Sequence, residues 1–596
     1  MPDLVSAGSA AGTNANISRH LAQMAAVQPE APALKVPRGR SRAGDIDYLT
    51  LTFAELDTEV AAWSDRLTRA GIGCGDRTLV MVRQGLPLIA AVFAIFRIGA
   101  VPVVIDPGMG LKSFLACVVR SRPRALVGIP SAQLISRLFR SSFRSVMARL
   151  VASSSLTARL TTGFPRSTPN AQPVTSAGTD LAAVLFTSGS TGPPKGVCYE
   201  HGMFDAQVRL IRDTYGIKSG EIDLPLLPIF ALFNPALGMT TIVPEIDPRR
   251  PAAFDPAKSV QAIRQENVTN SFGSPTLWRK IADHCRATNI TLPSLRRVLC
   301  AGTAVPATLW ENARALLPRG QLHSPYGATE ALPVATISSD EIEPASVCGA
   351  CVGHPVREIT IKIIAISDAP ISTFANVREV PRGEIGEIIV GGPVVTKTYD
   401  ALPDATHLAK IAATRSGYQV TSDKDQKSAP TVAPAASHVS PVASGPASVW
   451  HRMGDCGYLD ASGRLWFVGR KAERVETATG TIHTEPCEQV FRQHPRAARC
   501  ALVGVGERER QRPAIVVEAR LKGSMDGDTF ARELRALALQ HKHTSEITLF
   551  YFRKKFPLDV RHNAKIHRLT LAKWARTAQG FEDDPKRGKT EVTSSK

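Results

Sequence analysis

The sequence predicts an α/β protein: a large N-terminal domain of parallel-rich sheets flanked by helices, followed by a small C-terminal α+β domain. The first observation is a βαβ pattern, with apolar strands at 78–82 and 101–105 around a helix at 86–98. The second is a separate group of short strands downstream, with an apolar helix face at 530–537. These strands are predicted at 500–503, 514–519 and 547–552. The third is length, because 596 residues exceed what one hydrophobic core supports.

Local signals predict the elements that precede residue 181. Thr52 and Glu55 have the spacing of a capping box, which predicts a helix at 52–70. Residues 106–110 (D-P-G-M-G) form a turn after the second βαβ strand, where ligand-binding loops of parallel sheets lie. Residues 141–180 show little periodicity and are predicted to form a loop.

Composition sets the domain boundaries. Segments rich in small and polar residues bury too little apolar surface to offset the entropy of ordering, so we predict that they are disordered. The predicted organisation is a disordered N-terminus at 1–16, a large domain at 17–469 with a disordered insert at 416–447, a C-terminal domain at 470–576, and a charged tail at 577–596.

The composition, net charge and cysteine content exclude several classes of protein. Composition is ordinary for a globular protein, with 43% hydrophobic and 21% charged residues. The net charge of +19 is compatible with binding to nucleic acid, to an anionic membrane or to an anionic substrate. No basic helix with interleaved aromatics and no zinc-finger spacing occurs, so no nucleic-acid partner is predicted. Ten cysteines with one C-x-x-C (Cys348, Cys351) and no signal peptide predict a cytoplasmic protein with reduced thiols.

A buried strand at 181–186 leads into the sequence F-T-S-G-S-T-G-P-P-K-G at 186–196. Glycine permits a close approach of a ligand to the main chain, and the loop adds hydroxyls, N–H groups and a positive charge. The composition therefore suits a triphosphate. The motif is not a P-loop, because Pro194 precedes the lysine and Gly196 follows it. Taken alone, a surface loop without chemical function is an equal alternative. The predicted phosphate-binding residues are Thr187, Ser188, Gly189, Ser190, Thr191, Gly192 and Lys195.

This stretch resembles the phosphate loop of the adenylate-forming superfamily, which contains acyl-CoA synthetases, peptide-synthetase adenylation domains and luciferases. Four further segments resemble that superfamily in the same order. In Y-G-A-T-E at 326–330, the resemblance implies that the Tyr326 ring stacks on adenine, Thr329 binds the α-phosphate and Glu330 holds Mg²⁺. Gly302 and Gly327 are implied in nucleotide binding.

The remaining segments lie near the domain boundary and the C-terminus. The resemblance implies that Asp455 binds both ribose hydroxyls and that Arg470 reaches the nucleotide at the start of an interdomain hinge. It implies that Lys565 bridges the substrate carboxylate and the α-phosphate, as the adenylation lysine of a mobile C-terminal lid. Lys565, Thr329, Glu330 and Lys195 are therefore the predicted catalytic residues, with ATP as substrate and Mg²⁺ at Glu330.

Three departures from the acyl-CoA synthetase pattern argue against routine thioester formation with CoA. Ala231 stands where many relatives carry histidine near the CoA tunnel, Ala472 follows Arg470–Lys471 at the hinge, and Asn563–Ala564 replaces Ser-Gly before Lys565. Ala231 lies in an apolar stretch at 224–239, which either lines an apolar pocket or is plain core.

Several segments are similar to the olefin β-lactone synthetases of bacterial long-chain hydrocarbon biosynthesis. They include D-P-G-M-G, H-G-M-F-D-A-Q, F-A-L-F-N-P-A-L-G-M, Y-G-A-T-E-A-L-P-V-A, W-H-R-M-G-D and D-V-R-H-N-A-K-I. The resemblance implies a 2-alkyl-3-hydroxy fatty acid that is converted to acyl-AMP, after which its own hydroxyl closes a four-membered lactone. The proton acceptor is left open between His201 and a substrate phosphate oxygen.

Two other functions remain as alternatives: a long-chain fatty acyl-CoA ligase, and a binding subunit without catalysis. The resemblance implies a lipid-like hydroxy acid as ligand and other hydrocarbon-biosynthesis enzymes as partners. The basic surface could serve such partners or an anionic membrane.

Overall fold

The computed structural model describes residues 14–152, 172–187, 193–247, 253–342, 348–413, 449–521, 523–558 and 565–582. The predicted insert at 416–447 and most of the predicted N-terminal segment and tail lie outside these residues. The α-helices are Arg19–Val27, Phe53–Arg69, Leu86–Arg97, Leu111–Ser121, Pro130–Leu138, His201–Tyr215, Asn234–Leu237, Pro256–Gln265, Pro275–Ala287, Ala307–Leu316, Pro403–Ala409, Thr484–Phe491, Ser524–Ala538 and Arg568–Ala575. Short 3₁₀ helices lie at Pro107–Met109, Pro228–Leu232, Phe374–Asn376 and Lys471–Glu473.

The strands form three larger sheets and one two-stranded ribbon. In chain order they are β1 (Pro32–Arg40), β2 (Ile46–Thr52), β3 (Arg77–Met81), β4 (Val101–Ile105), β5 (Ala125–Gly128), β6 (Ala148–Val151), β7 (Leu181–Thr187), β8 (Lys195–Glu200), β9 (Ile222–Asp223), β10 (Thr240–Ile242), β11 (Asn270–Gly273), β12 (Arg297–Cys300), β13 (Gln321–Ala328), β14 (Ala331–Ser338), β15 (Ala350–Pro355), β16 (Thr360–Ile364), β17 (Gly386–Gly391), β18 (Lys410–Ala412), β19 (Val449–Leu459), β20 (Leu465–Arg470), β21 (Val475–Glu476), β22 (Thr481–Ile482), β23 (Arg499–Val505), β24 (Arg512–Glu518), β25 (Leu549–Arg553) and β26 (Phe581–Glu582).

The six-stranded sheet contains the predicted βαβ unit and has the order β6-β5-β3-β4-β7-β8. Its neighbours are parallel except for β7 and β8, which pair antiparallel. The helix Leu86–Arg97 that connects β3 and β4 is buried along almost its whole length, as its uniformly apolar sequence requires. Thr52 caps the preceding helix, and the capping box with Glu55 is complete, as predicted.

The largest sheet has 14 strands and is parallel in one half only. From β9 to β13 the neighbours are parallel, whereas β13 to β15, β20, β19, β17 and β16 pair antiparallel. The α/β class is therefore confirmed. The antiparallel half, which carries the Y-G-A-T-E and G-D motifs, has no counterpart in the predicted pattern.

The C-terminal unit is a four-stranded sheet, β23 to β26, with a core of Phe491, Phe530, Leu534 and Phe550. The short strand Phe581–Glu582 pairs with β25, so ordered structure continues past the predicted boundary at 576.

Two other predictions need correction. Asn16, inside the predicted disordered N-terminus, is buried and donates a hydrogen bond of 2.6 Å to the carbonyl of Phe96. The predicted loop at 141–180 contains β6 at its start, because Leu150 packs into the core beside β5. None of the ten cysteines forms a disulfide. Within the described ranges, the helices are all too short or too polar to cross a bilayer.

Candidate active site

The Y-G-A-T-E motif forms a hairpin at the centre of the largest sheet. β13 ends at Ala328 and β14 begins at Ala331, which leaves Thr329 and Glu330 at the turn. The neighbouring parallel strand β12 ends at Cys300, and Gly302 follows it with φ of 102°, a conformation that favours glycine. The carboxyl ends of adjacent parallel strands thus bring Gly302 to the same edge as the hairpin.

Two cavities, of about 1330 and 1140 Å³, open at this edge. The first contains Lys195, Thr329 and Glu330 in its wall. The second contains Tyr326 and Asp455. Gly302, Gly327, Arg470 and Lys565 are among the residues that line both cavities, so the predicted adenylation lysine lies where the two spaces meet.

The first cavity has a largely apolar wall. Helix Leu86–Arg97 and strands β4 and β7 supply one side of it, and the 3₁₀ helix Pro228–Leu232 supplies another. Phe230 stacks on Phe272 with ring centroids 3.6 Å apart. The apolar-pocket interpretation of 224–239 is therefore confirmed. Ala231 is buried in this 3₁₀ helix.

In the second cavity, an acid, a phenol and a guanidinium interact directly. Tyr326 donates a hydrogen bond of 2.6 Å to Oδ2 of Asp455, and Oδ1 lies 2.8 Å from Nη1 of Arg470. Burial raises the pKa of Asp455, and Arg470 opposes that shift. The charge of Lys565 also acts to lower the pKa of Asp455. The predicted ribose ligand, adenine neighbour and hinge arginine thus form one cluster across β13, β19 and β20.

Glu330 is held by a residue that the sequence did not indicate. Tyr399 donates a hydrogen bond of 2.7 Å to Oε1 of Glu330, and its own pKa is raised by burial and by that carboxylate. The ring of Tyr399 faces two cations: Nζ of Lys195 at 4.9 Å and Nζ of Lys410 at 5.8 Å from the ring centroid. Both distances are within the usual range for cation–π attraction.

Lys410 and His451 were also missed. They are direct partners across the antiparallel pair β18–β19. The pKa of Lys410 is lowered to about 7, mainly by burial, with Glu330 opposing that shift and Lys195 adding to it. Burial also holds the pKa of His451 well below its usual value, so the imidazole is neutral. His451 lines the first cavity, and its Nδ1 lies 3.2 Å from the carbonyl of Ala409.

The phosphate loop is described at its two ends. Thr187 closes β7, and Lys195 opens β8 opposite it in the antiparallel pair. The predicted ligands Ser188, Gly189, Ser190, Thr191 and Gly192 lie outside the described residues, as do Asn563 and Ala564. Lys195 lines the first cavity, as a residue directed at phosphate should.

His201 is wrong as a candidate proton acceptor. It is buried against Phe96, its Nδ1 accepts the N–H of Ile17 at 3.3 Å, and it is absent from the cavity wall. Burial lowers its pKa to about 4.

The segment predicted to be a hinge carries a buried ion cluster. Lys471 and Arg452 both pair with the fully buried Glu387, at 2.9 and 2.7 Å. The following Ala472 lines the first cavity.

The sequence model described as AMP-binding enzyme matches residues 21–400. The chain belongs to the AMP-binding enzyme family. This adenylate-forming enzyme is 41% identical over 578 residues to the olefin β-lactone synthetase of Xanthomonas campestris, an alignment that covers 94% of this chain and 98% of the relative. It is equally similar, with the same coverage, to the olefin β-lactone synthetase of Stenotrophomonas maltophilia.

Solved structures show the same fold at lower identity. The amide bond synthetase McbA from Marinactinospora thermotolerans superposes with a TM-score of 0.71 at 22% identity and covers 94% of this chain and 99% of its own. The o-succinylbenzoate CoA synthetase of Bacillus subtilis in complex with AMP superposes with a TM-score of 0.69 at 20% identity and covers 93% of this chain and 97% of its own.

Proposed function

We propose that this AMP-binding enzyme adenylates a long-chain 2-alkyl-3-hydroxy fatty acid and then closes it to a β-lactone. The observation that carries the proposal is the 41% identity, over almost the whole length of both chains, with two olefin β-lactone synthetases. A large apolar cavity that meets a polar cavity at Lys565 supports a lipid-like acid beside a nucleotide.

In the first step, a carboxylate oxygen of the acid attacks the α-phosphorus of ATP. The bond from that phosphorus to the bridging oxygen breaks, and pyrophosphate leaves. Negative charge accumulates on the α-phosphoryl oxygens, and Lys565 and Lys195 are among the cations that border the site. Thr329 lines the cavity next to Glu330 in the turn, and Tyr199 donates a hydrogen bond to the Thr329 carbonyl.

Magnesium fits the donor set. Among the described residues, no three His, Cys, Asp or Glu side chains gather into a metal site. Mg²⁺ is usually held by one or two carboxylates together with substrate phosphates, and Glu330 offers such a carboxylate in the cavity wall. When bound, the ion would offset the phosphate charge.

In the second step, the 3-hydroxyl oxygen attacks the activated carbonyl carbon. The bond from that carbon to the phosphate oxygen breaks, AMP leaves, and the hydroxyl proton passes to a base. We propose Nε2 of His451 as the acceptor, since this side chain lines the cavity while its Nδ1 lies 3.2 Å from the Ala409 carbonyl. Intramolecular attack needs no second substrate such as CoA. This agrees with Ala231, which stands where many acyl-CoA synthetases carry a histidine near the CoA tunnel.

The experiment supplies purified enzyme with ATP, Mg²⁺ and a 2-alkyl-3-hydroxy fatty acid in the absence of CoA. We expect β-lactone, AMP and pyrophosphate in equal amounts. The matched control is the same acid without its 3-hydroxyl, which should support ATP–pyrophosphate exchange and give no lactone. Lactone that forms only with CoA, or acyl-CoA as product, contradicts the proposal and supports the ligase alternative.

The proton acceptor is tested separately with His451→Phe. If His451 takes the proton, lactone formation falls at least tenfold while ATP–pyrophosphate exchange stays within about twofold. Equal rates of lactone formation in the variant and the wild type would instead assign the proton to a phosphate oxygen.

A further inference from the structure

The positive charge of the chain is concentrated in one region. Between Asp106 and Asp180 the sequence contains no acidic residue. Residues 107–152 of this region contribute eight basic residues toward the net charge of +19: Lys112, Arg120, Arg122, Arg124, Arg137, Arg140, Arg144 and Arg149.

Large apolar side chains are exposed in the same region. Leu134 is 67% exposed and Leu138 is 73% exposed, and their spacing of four residues places them on one face of helix Pro130–Leu138. Met147 is 76% exposed and Val151, at the end of β6, is 43% exposed. Isolated exposed apolar residues are ordinary, but four within 18 residues form a patch that indicates an interaction site.

The helix and the strand that carry these side chains are joined. Nε2 of Gln133 donates to the carbonyl of Leu150 at 2.8 Å, and Nε of Arg149 donates to Oγ of Ser136 at 3.1 Å. Because β6 is the edge strand of the six-stranded sheet, nothing in the described residues continues the sheet beyond it. We call the exposed surface of 134–151 the basic apolar patch.

Among the residues that the structure describes, three arginines in this patch have no acidic partner. Arg137, Arg140 and Arg144 are exposed, and the described residues place no carboxylate in an ion pair with any of them. By contrast, Arg124, just before the patch, pairs with Asp76 at 3.2 Å. The arginines of the patch therefore present unneutralised charge beside apolar side chains.

We propose that the basic apolar patch docks this protein onto anionic phospholipid bilayers. Arginines attract the anionic headgroups, and the interleaved Leu and Met side chains enter the boundary between headgroups and acyl chains. A nucleic-acid surface fits less well, since binding to single strands uses exposed aromatic rings, and the two phenylalanines in the patch, Phe139 and Phe143, are partly or fully buried.

The position of the patch suits a lipid substrate. β4 and β7 line the apolar cavity, and β6 lies three positions from β4 in the same sheet. At about 4.8 Å per strand, the separation is roughly 14 Å across the sheet. The docking proposal does not depend on the proposed function, because it concerns binding to lipid in the absence of any substrate.

The test is co-sedimentation of the full chain with vesicles of phosphatidylcholine, or of phosphatidylcholine with about 30% phosphatidylglycerol, at about 0.1 M salt. We expect binding to the anionic vesicles only. Each basic residue near an anionic surface contributes about fivefold to partitioning, so Arg137→Glu, Arg140→Glu and Arg144→Glu together should weaken binding about 100-fold or more. Leu134→Ser with Leu138→Ser should reduce binding that remains at high salt.

A matched control makes the same charge change at exposed arginines elsewhere, Arg319→Glu, Arg357→Glu and Arg532→Glu, and should retain most binding. Adenylation of detergent-dispersed substrate should be unchanged in the patch variants. Equal binding to neutral vesicles, or equal losses in patch and control variants, overturns the proposal. Two other outcomes also overturn the proposal. One is that the wild type sediments as a dimer and the patch variants sediment as monomers. The other is that the patch binds an oligonucleotide and the protein does not bind vesicles.

Discussion

The hydroxyl of Tyr399 donates a 2.7 Å hydrogen bond to the Glu330 carboxylate, and the ring of the same tyrosine faces Nζ of Lys195 at 4.9 Å. One side chain therefore contacts both the predicted metal ligand and the predicted phosphate-binding lysine. Tyr399 follows β17 in the chain, whereas Glu330 lies in the β13–β14 turn and Lys195 opens β8.

Replacing Tyr399 with Phe keeps the ring and removes the donor to Glu330. The loss of one hydrogen bond to a charged group should raise the barrier to adenylation by about 1.5 kcal/mol, which is about tenfold in rate. The rate of ATP–pyrophosphate exchange measures this loss of adenylation. Tyr458→Phe is the control, because that residue lies outside both cavities and should exchange at the wild-type rate. Equal losses in the two variants would remove Tyr399 from the site.

Lys565→Ala should reduce adenylation at least 100-fold, since a positioned cation beside developing phosphate charge contributes about 3 kcal/mol. Lys554→Ala, an exposed lysine on the same segment, should leave the rate unchanged. Single-turnover formation of acyl-AMP distinguishes a defect in chemistry from one in product release. Wild-type rates in Lys565→Ala would show that the meeting point of the two cavities is not the reaction centre.

Asp455→Asn should weaken ATP binding more than it slows turnover. The change removes the charge that pairs with Arg470 at 2.8 Å and leaves a half-buried guanidinium without this ion pair. We expect KM for ATP to rise by about tenfold or more, with a smaller change in kcat. Asp460→Asn, the same change outside both cavities, is the control for folding effects.

The buried Lys410 predicts a pH-dependent stability difference. Its pKa is about 7 in the folded protein and 10.5 when unperturbed, so between these values the unfolded chain binds a proton that the folded chain lacks. The free energy of unfolding of the wild type, relative to that of Lys410→Met, should therefore rise by a few kcal/mol as the pH increases across that window. Below the window the difference should be constant. Thermal unfolding midpoints near pH 6.5 and 9.5 measure this. A difference that does not change with pH would mean that the amine titrates normally, despite Glu330 and Lys195 nearby.

The sequence was most informative where local chemistry determines structure. The capping box at Thr52 and the βαβ unit depend on residues close together in the chain, and both occur as predicted. The site residues that were missed depend on pairing between distant strands. Lys410 and His451 become neighbours only because β18 and β19 pair, and no local pattern specifies that register.

Asp455 illustrates a residue whose surroundings could not be predicted from the sequence. The G-D motif identified the carboxylate, but its hydrogen bond with Tyr326 and ion pair with Arg470 require three strands of a sheet whose antiparallel half the pattern did not indicate. The prediction for His201 was wrong because its side chain is packed in the core. This histidine begins the helix after the phosphate motif, and its ring accepts a hydrogen bond from the N–H of Ile17.

The pairing of β18 with β19 also has a practical consequence for engineering. Ala412 is the direct partner of Val449, so the chain leaves and re-enters the sheet at adjacent points. A two-residue turn such as Asn-Gly is sufficient to connect antiparallel strands at such a point. Residues 414–448 could therefore be exchanged for a short turn, or for a fluorescent reporter, while the Lys410–His451 pair keeps its register.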